Sequence, residues 1–163
     1  MAWTLLLAAG QGNRLASATG GLAKQFLDWK GAPLYWESAL VFSRCARVEG
    51  LVFVFPEACI DEERERVAGL MRNASLGIPW KVVAGGALRQ DSVRNGLSAL
   101  PDACMEVLIH DAARPFVSPV LVNRILDGLH GEASGECVAA CIPGIPVVDT
   151  IKVMDEEKKV VAT

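Results

Sequence analysis

Short apolar runs alternate with stretches of helical spacing along most of the chain, and this alternation restricts the fold more than any other feature. Leu5-Leu6-Leu7-Ala8 stops at Gly10, Leu51-Val52-Phe53-Val54-Phe55 stops at Pro56, and Trp80-Lys81-Val82-Val83 stops at Gly85-Gly86. Val107-Leu108-Ile109 ends at His110-Asp111, and Val138 to Ile142 is a fifth such run. Runs this short and continuous suit strands covered on both faces, as in parallel sheets. Between them lie helical stretches. Pro33 is expected to open a helix that carries Leu34, Trp36, Leu40, Val41 and Phe42 as far as about Arg47. Asp61 is expected to cap a helix with Val67, Leu70 and Met71 facing inward. Asp91 or Ser92 is expected to cap one with Val93, Leu97 and Leu100 inward, and Pro119 to begin one with Leu121, Ile125, Leu126 and Leu129. The pattern implies an α/β layered structure with a mostly parallel sheet.

In such sheets ligands bind beyond the carboxyl ends of the strands. Three polar sequences fall there: Gly10 to Arg14, Gly85 to Ser92, and His110 to Arg114. At the first, Gly10 and Gly12 allow close backbone approach or positive φ, and successive N–H groups in such a turn form an anion-binding concavity. A following helix start adds the positive end of its dipole. Arg14, with its planar fork, and Lys24, a movable point charge, suit a polyphosphate. Leu15 stands where a dinucleotide fingerprint has its third glycine, and no acidic residue closes the second strand, which disfavours a dinucleotide-dependent oxidoreductase. No Gly-Lys-Ser/Thr ending follows, which disfavours a P-loop ATPase. On this motif alone, an ordinary strand-to-helix turn remains open.

The chain is long enough for one domain with a real core, and its net charge of −3 argues against non-specific nucleic-acid binding, so any anion site is local. No positive region precedes the first apolar run, which reads as a core strand and not a signal peptide, and no segment is long enough to cross a bilayer. Cys45, Cys59, Cys104, Cys137 and Cys141 are scattered and form no C-x-x-C pair, as expected of buried reduced thiols in a cytoplasmic protein. Gln25 to Gly31 reads as an extended piece closed by a turn. After Pro143, Gly144 and Pro146 the character changes: Val147 to Met154 and Val160 to Thr163 read as two β segments about the charged turn Asp155 to Lys159. An edge of that kind calls for a partner strand or more chain.

The sequences LAAGQGNR with the following Lys24, GGALRQDSVRNGL, HDAARPFVSP and IPVVDTIK together resemble the 2-C-methyl-D-erythritol 4-phosphate cytidylyltransferases of the non-mevalonate isoprenoid pathway, from Thr4 to the last residue. The first motif is shared by many sugar-nucleotide pyrophosphorylases, whereas RQDSV and HDAARPFVSP are far more specific. The resemblance implies a Rossmann-like, three-layer nucleotidyltransferase fold with a β arm at its C-terminal end, core 1–143 and arm 144–163. It implies transfer of a cytidylyl group from CTP to 2-C-methyl-D-erythritol 4-phosphate, with Mg²⁺ and release of pyrophosphate. Arg14 and Lys24 are then the transition-state stabilisers, and Ala8, Ala9, Gly10, Gly12, Gly85, Gly86, Ser92 and Ala112 the nucleotide-binding positions. Gly85, Gly86 and Ser92 would read cytosine, with a helix cap as the plain role of Asp91, and Ala112 would lie close to the ribose. Asp111 would hold Mg²⁺ and, with Arg114 and Thr150, contact the alcohol substrate. Arg114 could equally brace the turn at Pro115, and Thr150 could be an ordinary β-branched strand residue. His110 is expected to satisfy local hydrogen bonds, because a phosphate nucleophile is already ionised.

The spacing from Arg14 to Lys24 is longer than usual for the family, with Ala18 to Gly21 holding the extra residues. The family's arm reaches across a homodimer, and its chain continues past the point matched by Thr163. The 163 residues are therefore expected to be part of a longer parent, with a fused second pathway enzyme as one form that parent can take. A ribitol 5-phosphate cytidylyltransferase and a nucleotide-binding module without turnover are the competing readings.

Overall fold

The computed structural model of the chain describes residues 1–10, 21–131, 138–146, 148 and 152–162. These fall into two compact units, Met1–Arg124 and Ile125–Thr163.

The first unit is built on a four-stranded parallel sheet of β1 (Ala2–Leu7), β4 (Val48–Phe55), β5 (Trp80–Ala84) and β6 (Glu106–Asp111), in the order β5-β4-β1-β6. A small hairpin, β2 (Asp28–Trp29) and β3 (Ala32–Pro33), turns through Lys30 and Gly31, both at positive φ. The helices are α1 (Leu34–Ser43), α2 (Ile60–Asn73), α3 (Arg89–Ser98) and α4 (Pro119–Leu129). In the second unit β7 (Val153–Met154) and β8 (Val160–Ala162) pair antiparallel about the expected turn, but among the described residues of the segment read from Val147 to Met154 only the last two form the strand, and Val148 and Lys152 lie outside it.

Alternating side chains of β1 and β4 supply two cores. Towards α1, Phe53 stacks on Trp36 and Phe55, and Tyr35 sets its ring edge-on to both phenylalanines. Towards α3, Trp3, Leu5, Val52 and Val54 form a second cluster. The strand read as starting at Leu51 begins three residues earlier, and Gly50 within it has a reason: a Cβ there would lie 2.5 Å from the Trp3 indole. Gly96 likewise lets α3 settle onto the sheet, since a Cβ would lie 2.9 Å from Leu5 Cδ1.

Several local expectations need correction. Asp61 is the second residue of α2 and Cys59 precedes that helix, so Asp61, Glu62 and Glu63 instead place acidic charge in its first turn. Pro33 pairs with Asp28 and stands just before α1. Ser92 and Gly96 are the buried residues of α3, while Leu97 is 41% exposed: close packing selected the small residues, and apolar spacing pointed one residue away. Val138 to Ile142 is not a strand. A strand needs a ladder partner, and apolar continuity does not supply one: Val138 gives its N–H to the Leu129 carbonyl and Ile142 is 86% exposed.

Candidate nucleotide site

The connections run β1 to β4 to β5 on one side of β1, whereas β6 lies on its other side. The strand order thus reverses between β1 and β6, which is where an open α/β sheet forms its ligand crevice. Register sets the carboxyl ends level, with Leu7 beside Val54 and Asp111, and Phe55 beside Ala84. Of the three sequences expected to converge, Gly85 to Ser92 and His110 to Arg114 lie wholly within the described residues at that edge, and the first reaches it through Gly10. Gly12, Arg14 and Thr150 lie outside the described residues.

At the end of β1, Ala8 gives its N–H to the Val54 carbonyl at 2.8 Å, and Ala112 gives its own to the Leu7 carbonyl at 3.0 Å. Ala112 is fully buried, so the wall between β1 and β6 is made of small side chains. Lys24 is exposed and opens a 3-10 turn, Lys24–Phe26, in which Leu27 N–H reaches the Lys24 carbonyl. Gln25, buried within that turn, donates from Nε2 to the carbonyls of Ala8 and Gly10, both at 2.7 Å. Sequence reading missed it, because a single polar residue carries no periodic signal, and the stretch from Gln25 that reads as extended in fact begins inside a 3-10 turn. Its position next to the phosphate-suited Lys24 was the one available clue.

Gly85 and Gly86 follow β5 where nothing larger fits. A Cβ on Gly85 would lie 2.4 Å from Ala9 Cβ and 2.8 Å from Ser92 Oγ, and one on Gly86 would lie 2.3 Å from Asp91 Cβ. Ser92 Oγ accepts from Gly86 N–H at 3.1 Å and points its own proton towards the Leu88 carbonyl at 3.4 Å, which ties the turn to α3. The Asp91 carboxylate accepts from Leu88 N–H at 3.1 Å and so caps α3 from its third residue.

Asp111 lies between two guanidinium groups: Arg89 Nη2 is 3.0 Å from Oδ1, and Arg114 Nε is 3.3 Å from Oδ2. Both arginines are largely exposed and free to re-aim at an anion. Arg89 was not singled out in the sequence, although it begins the RQDSV motif. Arg114 also closes the turn through its N–H to the Asp111 carbonyl at 3.0 Å. An open groove of about 630 Å³, lined by Leu88, Arg89, Gln90, Val93 and Ile109, runs beside this pair.

His110, one residue before, projects to the other face, as strand alternation requires. It sits edge-on to Phe42, and its Nε2 lies 3.3 Å from Ser38 Oγ and 3.0 Å from the Arg114 carbonyl. Burial holds its pKa below the ordinary histidine value. It is a bonded structural histidine that steadies the loop behind Asp111, in line with expectation. A further buried polar group lies under α1: Tyr35 O–H donates to Glu63 at 2.8 Å, and Arg66 Nη1 sits 3.1 Å from the same carboxylate. Burial, with the Glu63 charge adding, raises the Tyr35 pKa, and burial raises that of Glu63, so Tyr35 stays a donor.

Among the described residues no three His, Cys, Asp or Glu side chains cluster to hold a metal ion. A lone carboxylate still suits Mg²⁺, which is commonly held by one or two carboxylates, several waters and the phosphates of a bound nucleotide. Asp111 is the carboxylate at this crevice, with its two oxygens facing Arg89 and Arg114.

A parallel sheet with a reversal beside β1, glycine turns at the strand ends and arginines about a single carboxylate define an open α/β domain with an anion-suited crevice at its strand ends. The whole of residues 2–163 matches the family described as IspD, 2-C-methyl-D-erythritol 4-phosphate cytidylyltransferase, and the chain belongs to that family. It is 52% identical over 154 residues to the bifunctional enzyme IspD/IspF of Oleidesulfovibrio alaskensis, covering 94% of this chain and 37% of that protein. It is 31% identical over 159 residues to the 2-C-methyl-D-erythritol 4-phosphate cytidylyltransferase of Alkaliphilus metalliredigens, covering 98% and 61%. The chain therefore spans little more than a third of the length of the first relative and about three fifths of the second. In fold it is similar to the crystal structure of 4-diphosphocytidyl-2C-methyl-D-erythritol synthase from Anaerococcus prevotii, with a TM-score of 0.73, 20% identity, and coverage of 100% of this chain and 64% of that one. Among the described residues no helix is long and apolar enough to cross a membrane.

Proposed function

We propose that this chain forms the CTP-binding part of an enzyme that transfers the cytidylyl group of CTP to 2-C-methyl-D-erythritol 4-phosphate. The observation that carries this reading is the crevice at the β1–β6 reversal, where the Ala8 to Gly10 backbone, the Gly85-Gly86 turn and the Arg89–Asp111–Arg114 group share one level. Family membership supplies the nucleotide and the alcohol.

In the proposed reaction an oxygen of the alcohol's phosphate attacks the α-phosphorus of CTP. A new P–O–P bond forms, the bond from the α-phosphorus to the bridging oxygen breaks, and the electron pair leaves with pyrophosphate. Negative charge grows on the equatorial and leaving oxygens, so positioning and charge stabilisation do most of the work. Arg14 and Lys24 take the stabilising role. The backbone of Ala8, Ala9, Gly10 and Gly12 cradles phosphate, Gly85, Gly86 and Ser92 select the base by its polar edge, and Ala112 leaves room for the ribose. Arg114 and Thr150 hold the alcohol. Asp111 would hold Mg²⁺, which when bound neutralises phosphate charge. The exposed β7–β8 hairpin belongs, on this reading, to an arm that joins a second copy.

Calorimetric titration with CTP and with ATP, each with Mg²⁺, tests the base assignment. Selective heat with CTP supports it, and equal heats for both nucleotides overturn it. Turnover with 2-C-methyl-D-erythritol 4-phosphate against ribitol 5-phosphate, in a chain extended to the length of its relatives, then separates the two alcohols. Light scattering of that longer chain, with and without residues 144–163, tests the dimer.

A further inference from the structure

Gln25 is 4% exposed, and both protons of its Nε2 are committed to two carbonyls that flank Ala9, those of Ala8 and Gly10. Burying a carboxamide is costly unless its hydrogen bonds are made, so its presence here calls for the work those bonds do. Among side chains a carboxamide is unusual in giving two protons from one atom without a charge. A lysine or arginine in the same place would add a buried cation that competes with Lys24 for phosphate, and a carboxylate would repel both carbonyls.

The geometry has two consequences. The peptide between Ala8 and Ala9 is planar and trans, so with the Ala8 carbonyl drawn to Gln25 the Ala9 N–H is turned to the opposite side. The backbone donor is thus aimed before any ligand arrives. Second, Gln25 lies in the same 3-10 turn as Lys24, held by Phe26 N–H to the Ala23 carbonyl at 2.9 Å and by the Phe26 ring against Tyr35 and Phe55. One side chain therefore fixes the backbone donors and the base of the neighbouring cation to each other.

We propose that Gln25 is a positioning residue that presets the Ala8 to Gly10 backbone and Lys24 as one phosphate-binding unit, acting on the triphosphate and not on the base. This rests on the nucleotide reading above, and it adds the residue that makes the cradle stiff before binding. Preset donors are worth more than mobile ones because binding does not have to order them.

The test is an amide NMR titration of the chain, following the Ala9 and Gly10 signals with CTP, cytidine and inorganic triphosphate as separate probes. The variants are Gln25→Leu, which keeps the bulk and removes both donors, and Gln25→Met, which keeps the length of the side chain and adds no charge. Thermal melts by circular dichroism identify the variants that remain folded. If the leucine variant does not fold, the methionine variant carries the comparison, and amide exchange at Ala9 in folded protein gives a second readout that needs no ligand. The expected result is faster exchange at Ala9, CTP and triphosphate weakened at least about tenfold, which is about 1.4 kcal/mol, and cytidine changed less than about twofold. Equal weakening of CTP and cytidine, or unchanged affinity for triphosphate, overturns the proposal and leaves Gln25 a plain structural residue. Failure of the unaltered chain to bind CTP or triphosphate defeats the nucleotide reading itself, and the role of Gln25 falls with it; that result is visible before any variant is made.

Discussion

The side of the sheet under α1 and the side under α3 hold the same strands by opposite means. Towards α1 the gap is filled with rings, Tyr35, Trp36, Phe53 and Phe55, with Tyr35, Phe53 and Phe55 all fully buried. Towards α3 the gap is narrowed: Gly96 meets Leu5 and Val54, and Gly85 meets Ala9 and Ser92, with no room for another carbon. The ringed side buries large apolar area and supports stability. The narrow side brings the start of α3, with Ser92 and Arg89, up against the strand ends. Bulk stability thus comes mainly from the ringed face and the placement of α3 from the narrow one, while the Lys24–Phe26 turn, whose Phe26 ring packs on Tyr35 and Phe55, ties part of the site to the ringed face.

The heaviest blow to that division should fall on the ringed side. Phe53→Ala removes a fully buried ring that touches three others and should cost about 3–5 kcal/mol in urea unfolding. A loss under 1 kcal/mol would show that the rings are not the main support. On the narrow side, Gly96→Val should cost about 1–3 kcal/mol by overpacking against Leu5 and Val54, and should weaken CTP binding out of proportion by tilting α3. If stability drops with CTP affinity untouched, the two faces are not specialised as described.

Acid offers a milder probe of the ringed side. His110 is held below its ordinary value of 6.5, chiefly by burial, so below about that pH the unfolded chain binds more protons than the folded one. Its contribution is present above pH 6.5 and is lost as pH falls. Glu63, raised from 4.5 by burial, slopes the other way, losing stability as pH rises above that value. His110→Gln should therefore flatten the acid limb of a melting-temperature profile between pH 5 and 7 relative to the unaltered chain, and an unchanged limb would place that titration elsewhere. The smallest effect belongs to the outside of α2. Asp61→Asn breaks an exposed pair with Arg64 and should shift stability by no more than about 0.5 kcal/mol, which salt titration should erase.

How far the sequence revealed all this follows the same divide. The strands β1, β4, β5 and β6 were legible from apolar continuity, which burial on both faces explains for β1 and β4 while β5 and β6, with Ile109 exposed, are only half covered, and their polar ends pointed to the site. The inward side of α3 was not, since a helix seated on glycine and serine hides its contact face from any apolar count. Val138 to Ile142 misled for a related reason: continuity shows that a run can be buried, not that a neighbour is there to pair with it. Gln25 was invisible because its two bonds span fifteen and seventeen residues, and nothing local marks them. Arg89 stood inside a motif already noticed, and only the fold revealed that it faces Asp111.

The contact between Ala9 and Gly85 has a consequence for how such sequences can drift. The two positions together have room for a single methyl group, which Ala9 now carries, with the Gly85 site only 2.4 Å from it. A lineage can exchange one large ring for another under α1 and repack around it, but here a gain on one strand end demands a loss on the other. Gly85→Ala would also meet the Ser92 hydroxyl at 2.8 Å, so it is tolerable only where Ala9 loses its methyl and Ser92 gives way, and the choice at position 85 is limited at once by positions 9 and 92.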